Sequence, residues 1–151
     1  MSNLASEIIN LENLFNKKEF NEITKLSKSL LNRYSESFEI NFIVGSCYLA
    51  NKKPNLALPL LTKANKINPA SSICLFNLSI CYKQLRIIPE YKRYLDLANF
   101  SDPNNKEILY ELGLFYLNVN EFETSILYFE SILKYKVHNT NFILNLSRSY
   151  L

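Results

Sequence analysis

Three cysteines, one histidine and a few clustered glutamates are the residues of this 151-residue chain with chemistry to offer. Cys47, Cys74 and Cys81 could serve as thiolate nucleophiles, disulfide partners or zinc ligands. Their spacing suits none of these. No pair has the two-residue gap of a zinc knuckle, an odd count does not build a disulfide framework, and His138 is far along the chain. The cysteines are expected to be small core residues in a reducing compartment, and His138 an exposed boundary residue. Glu121, Glu123 and Glu130 could form an acid–base pair, but on one helix they read as a solvated face. Two glycines supply neither a phosphate loop nor the hairpins of a many-stranded sheet. No catalytic residue, metal or cofactor is expected, so the chain is read as a non-enzyme.

Charge and hydropathy remove further classes. A net charge of +3, from 17 basic and 14 acidic residues, is too mild and too scattered for a nucleic-acid surface. No stretch approaches the ~18–20 apolar residues that cross a bilayer. The first residues, Met1 to Glu7, lack the basic start and apolar run of a signal peptide. A cytoplasmic protein with no membrane partner is expected.

With so little chemistry, the information lies in repetition. Gly45 and Gly113 are 68 residues apart, twice 34, and Ser79 sits between them at the 34-residue step. An aliphatic precedes each of the three (Val44, Leu78, Leu112), and a tyrosine follows three residues later (Tyr48, Tyr82, Tyr116). Ala64, Ala98 and Ile132 recur in the same register, as do Pro69, Pro103 and Val137. Apolar residues at three- and four-residue spacing, as in Leu75, Leu78 and Tyr82, mark helices. Breaks at Lys52-Lys53-Pro54-Asn55, Asn68-Pro69, Asp102-Pro103 and Asn118-Val119-Asn120 separate them. Nine helices are predicted, near 3–16, 20–33, 38–51, 54–67, 72–85, 88–100, 106–118, 121–135 and 140–150.

These residues resemble the tetratricopeptide repeat (TPR) family. Units at 38–71, 72–105 and 106–139 carry its large apolar, Gly/Ala, Tyr, Ala and Pro positions, with Tyr91 and Val137 as departures. Unit 4–37 is degenerate, and a terminal helix spans 140–151. The resemblance implies an all-α fold, a right-handed α-solenoid of stacked antiparallel helix pairs, and one domain over 1–151. It also implies that first helices line a concave groove that binds a peptide or helix of a partner protein.

Family groove positions 2, 5, 6, 9, 12 and 13, carried onto this chain, select Ile9, Phe42, Ile43, Ser46, Phe76, Asn77, Ile80, Lys83, Tyr110, Glu111, Leu114, Asn145 and Arg148, with Glu12, Gln84, Asn118 and Asn141 beside them. Position 5 is apolar throughout: Ile8, Phe42, Phe76, Tyr110 and Leu144. That row either accepts an apolar or amphipathic segment or packs between helices. The chaperone-type carboxylate clamp is not expected, because position 5 never holds Lys and position 9 never holds Asn. Asn77 and Asn145 are similar to the backbone-binding asparagine ladder of the nucleocytoplasmic sugar transferases, interrupted by Glu111; they read equally as solvated amides. The expected function is a protein-interaction module. The alternatives are the N-terminal arm of a larger enzyme (glycosyltransferase, sulfotransferase or hydroxylase type) and a scaffold that self-associates through its C-terminal helix.

Overall fold

A computed structural model describes residues 3–133 and 140–150, with the side chains at 140–142 left out. Its described elements are α1 (Asn3–Asn16), α2 (Phe20–Arg33), α3 (Phe38–Ala50), α4 (Pro54–Ile67), α5 (Ser72–Gln84), α6 (Ile88–Ser101), α7 (Lys106–Asn118), α8 (Phe122–Leu133) and α9 (Thr140–Ser149). The nine predicted helices are all present, with ends within two residues where described. Val137, His138 and the Asn141 side chain lie outside the described residues.

The chain forms two compact units, Met1–Tyr94 and Leu95–Leu151, with the division falling inside α6. In the first, α3 packs against α1, α2, α4 and α5. Buried Leu11, Ile23, Leu30, Ile40, Val44 and Cys47 form one part of its core, and Leu49, Ala57, Leu61, Leu78 and Cys81 another. In the second, α7, α8 and α9 contact one another around Leu109, Phe129 and Ile132. Ser125 ties this unit together: its hydroxyl donates to the Gly113 carbonyl at 2.9 Å and lies 3.0 Å from the Ser149 hydroxyl.

The repeat is visible in its hydrogen bonds as well as its side chains. Ser37, Ser71 and Asn105, 34 residues apart, each cap the first helix of the next repeat, accepting from Ile40 N, Cys74 N and Ile108 N at 3.3 Å. Cys47 Sγ donates to the Phe20 carbonyl at 3.5 Å, and Cys81 Sγ makes the same contact with Pro54 at 3.3 Å. Tyr82 stacks on Tyr94 at 5.3 Å, and one repeat later Tyr116 stacks on Tyr128 at 5.5 Å.

Burial pushes the Cys74 thiol from its ordinary 9.0 up to about 12 and that of Cys81 up to about 11. The fold therefore holds these thiols protonated after the unfolded chain would release them. Their contribution is intact below pH 9.0 and is lost as pH rises toward 11 and 12. Urea melts across this range are expected to show an alkaline loss of stability that is shallower in Cys74→Ala/Cys81→Ala. Equal slopes in the two proteins would contradict it.

Each first helix also stops in the same strained way. Lys18, Lys52, Arg86 and Asn120 stand at φ of 59°, 58°, 60° and 63°. The following amide folds back over the helix end, from Glu19 to Leu14, Lys53 to Tyr48, Ile87 to Tyr82 and Glu121 to Tyr116, at 2.9–3.0 Å. A residue with a Cβ loses roughly 1–2 kcal/mol in this left-handed region. Glycine would relieve that, less the extra freedom it gives the unfolded chain. Lys52→Gly is thus expected to stabilise the protein by ~0.5–1 kcal/mol, read as a raised denaturant midpoint; an unchanged or lowered midpoint would refute it.

Candidate functional site: an aromatic cleft on the first helices

Parallel repetition sets α1, α3 and α5 in a row, since α3 contacts both of its counterparts. Between them runs a two-part cleft. One part, about 390 Å³, is lined by Glu12, Phe15 and Asn16 of α1 and Phe38, Glu39, Phe42 and Ile43 of α3. The other, about 220 Å³, is lined by Phe15, Phe42, Ile43, Ser46, Ile73 and Asn77. Phe15, Phe42 and Ile43 belong to both parts, so the two are continuous. The Phe42 ring is fixed by stacking on Phe38, with centroids 5.6 Å apart and planes 7° from parallel. Asn77 Nδ2 donates to Ser46 Oγ at 2.8 Å and joins α5 to α3 across the floor.

The cleft therefore offers flat aromatic and branched aliphatic surface with polar groups at its margin. That arrangement can hold an apolar side chain while the margin bonds a backbone. A larger hollow of about 690 Å³ lies on the α4 surface around Leu58, Pro59 and Ile67. It is lined by Glu36 and Lys63, whose carboxylate and ammonium pair at 2.8 Å, and by no aromatic ring. Filling it means working around an existing ion pair, so it is the weaker candidate.

Of the residues selected from sequence, Phe42, Ile43, Ser46 and Asn77 meet in the cleft. Ile9 is exposed on α1. Phe76 is half-buried outside the cleft lining, and Ile80 packs against the Leu49–Leu61 core. The Lys83 ammonium lies 5.6 Å from the Tyr91 ring centre. In the second unit, Tyr110 and Leu114 pack on the Leu109–Phe129 core, Glu111 is buried and Arg148 is exposed. Asn145 Nδ2 donates to the Tyr110 hydroxyl at 2.9 Å. Both asparagines of the supposed ladder thus bond a neighbouring first helix of their own unit.

Phe15 and Ile73 escaped selection although the repeat register could have found them. They occupy positions 12 and 2 of their units, both groove positions.

Solved structures share this architecture. Crystallised MamA protein superposes with a TM-score of 0.82 at 18% identity, over 99% of this chain and 82% of that one. The C-terminal part of a TPR repeat-containing protein from Cytophaga hutchinsonii gives 0.79 at 16% identity, over 95% of this chain and 57% of that one. Naa15/Naa10 bound to HypK-THB gives 0.70 at 16% identity, over 97% of this chain and 22% of that one. No protein-family profile matches the chain, and no curated protein sequence matches it significantly. The chain has the tetratricopeptide-repeat fold, as its 34-residue register implies.

Proposed function

We propose that the chain is a non-enzymatic interaction module that docks a peptide or helix of a partner protein in the cleft formed by α1, α3 and α5. The observation that carries this reading is the continuous lining of Phe15, Phe42, Ile43 and Ile73, an open apolar surface where α3 meets α1 and α5. The shared fold supports it, since one of the similar structures is itself a complex between proteins. Three buried free thiols fit a reducing, cytoplasmic setting. No helix among the described residues is long and apolar enough to cross a membrane.

A library of short random peptides displayed on phage tests the reading. Enriched peptides are expected to share an apolar anchor, bind with one-to-one stoichiometry and compete for a single site. Failure to enrich any such peptide would count against the module.

A second reading has its own observation. α9 exposes Ile143 and Leu144 side by side, each 56% accessible. Self-association through this face predicts concentration-dependent sedimentation that Ile143→Ser/Leu144→Ser removes; a monomer at all concentrations would dismiss it.

A further inference from the structure

The charges at the cleft define what kind of segment it can take. The protein as a whole carries +3, yet the only ionisable residues lining either part of the cleft are two glutamates, Glu12 and Glu39. Three of the unit's other five carboxylates meet cations: Glu7 meets Arg33 at 2.9 Å, Glu22 meets Lys25 at 2.7 Å and Glu36 meets Lys63 at 2.8 Å. Glu12 and Glu39 have no such partner among the described residues. The Glu39 carboxylate accepts only the Ser37 hydroxyl, at 2.8 Å, and both glutamates are exposed.

An apolar floor bordered by two uncompensated negative charges favours an apolar anchor with a cation beside it. We propose that the partner segment carries lysine or arginine next to the large apolar residue that enters between Phe15, Phe42 and Ile73. This inference rests on the cleft being the docking site and adds the chemistry of its occupant. A neutral apolar anchor would use the floor alone. An acidic segment would bring like charges together at the rim. A second copy of this chain is the competing occupant.

The same displayed library tests the charge claim. Peptides enriched on the wild-type chain should carry Lys or Arg flanking the anchor, and their affinity should fall as salt rises, because exposed charges are screened over ~10 Å at 0.1 M. Measured by fluorescence anisotropy at low salt, Glu12→Gln/Glu39→Gln should weaken them about tenfold, and Glu12→Lys/Glu39→Lys should favour peptides with acidic flanks. Both positions are exposed, so these variants leave the core untouched. Enriched peptides with neutral or acidic flanks, or equal affinity for the Gln variant, would overturn the charge claim. The cleft reading would survive that result if binding still fell in Phe15→Ala/Ile73→Ser. Binding indifferent to Phe15→Ala/Ile73→Ser would overturn the cleft itself. A dimer in sedimentation that Ile73→Ser dissociates would replace the peptide with a second copy of the chain.

Discussion

Gly113→Ala is expected to destabilise the protein by about 2 kcal/mol, whereas Gly45→Ala is expected to leave it near wild type. Both glycines sit at position 8, where the two helices of a repeat touch, and neither has positive φ. What differs is the residue opposite. A Cβ on Gly113 would lie 2.5, 2.7 and 2.8 Å from three ring atoms of Phe129, which is fully buried. The ring is enclosed on all sides, and Tyr110 lies against it with ring centres 5.8 Å apart. A Cβ on Gly45 would meet Leu61 at 3.0–3.1 Å and Leu60 at 3.3 Å, contacts that a few tenths of an ångström relieve. At both sites alanine also recovers roughly 1 kcal/mol of helix propensity, which offsets the milder clash and not the severe one. Position 8 and position 24 thus pair a small residue with a large one, Gly45 with Leu61 and Gly113 with Phe129. Phe129→Leu should therefore rescue much of the Gly113→Ala loss. Denaturant melts of the two singles and the double check this; additive losses would show that the two sites are not coupled.

The second large effect concerns binding. Ile73 is 56% exposed yet lines the cleft, so Ile73→Ser should weaken a cleft-bound peptide about tenfold while hardly moving the melting temperature. Phe15 is half-buried, meets Phe20 edge-on at 5.5 Å and lines both parts of the cleft. Phe15→Ala should add a similar loss, giving roughly 100-fold for the pair. Phe15 also packs against the core around Leu11, Ile23 and Val44, so circular dichroism at the assay temperature is needed to separate lost binding from unfolding. A pair that binds within twofold of wild type, with helicity intact, would place docking elsewhere.

The helices were legible because the 34-residue register repeats the same apolar, small and proline positions, and each instance corrects the others. The cap at position 34 and the left-handed residue at position 15 recur just as regularly, but their signal is weaker. Ser37, Ser71 and Asn105 are ordinary loop residues until their amide partners are known. Lys18, Lys52 and Arg86 occupy positions where a glycine would announce the turn. The cleft was half legible. Register placed Phe42, Ile43, Ser46 and Asn77 on the face that carries the cleft, but a residue on that face either points into open space or packs into the next helix. Ile80, Tyr110 and Leu114 pack, and the amides of Asn77 and Asn145 are engaged by Ser46 Oγ and the Tyr110 hydroxyl. That choice depends on the bulk and polarity of residues 31 to 35 positions away, which no local pattern reports.

The central claim, that α1, α3 and α5 present the docking cleft, is tested most directly by nuclear magnetic resonance. A peptide enriched on the wild-type chain would be titrated into isotope-labelled protein and its shift changes mapped. The account predicts that the largest changes fall on the methyls and amides of Phe15, Phe42, Ile43, Ser46, Ile73 and Asn77. Changes concentrated instead around Leu58, Pro59, Lys63 and Ile67 on α4 would contradict it.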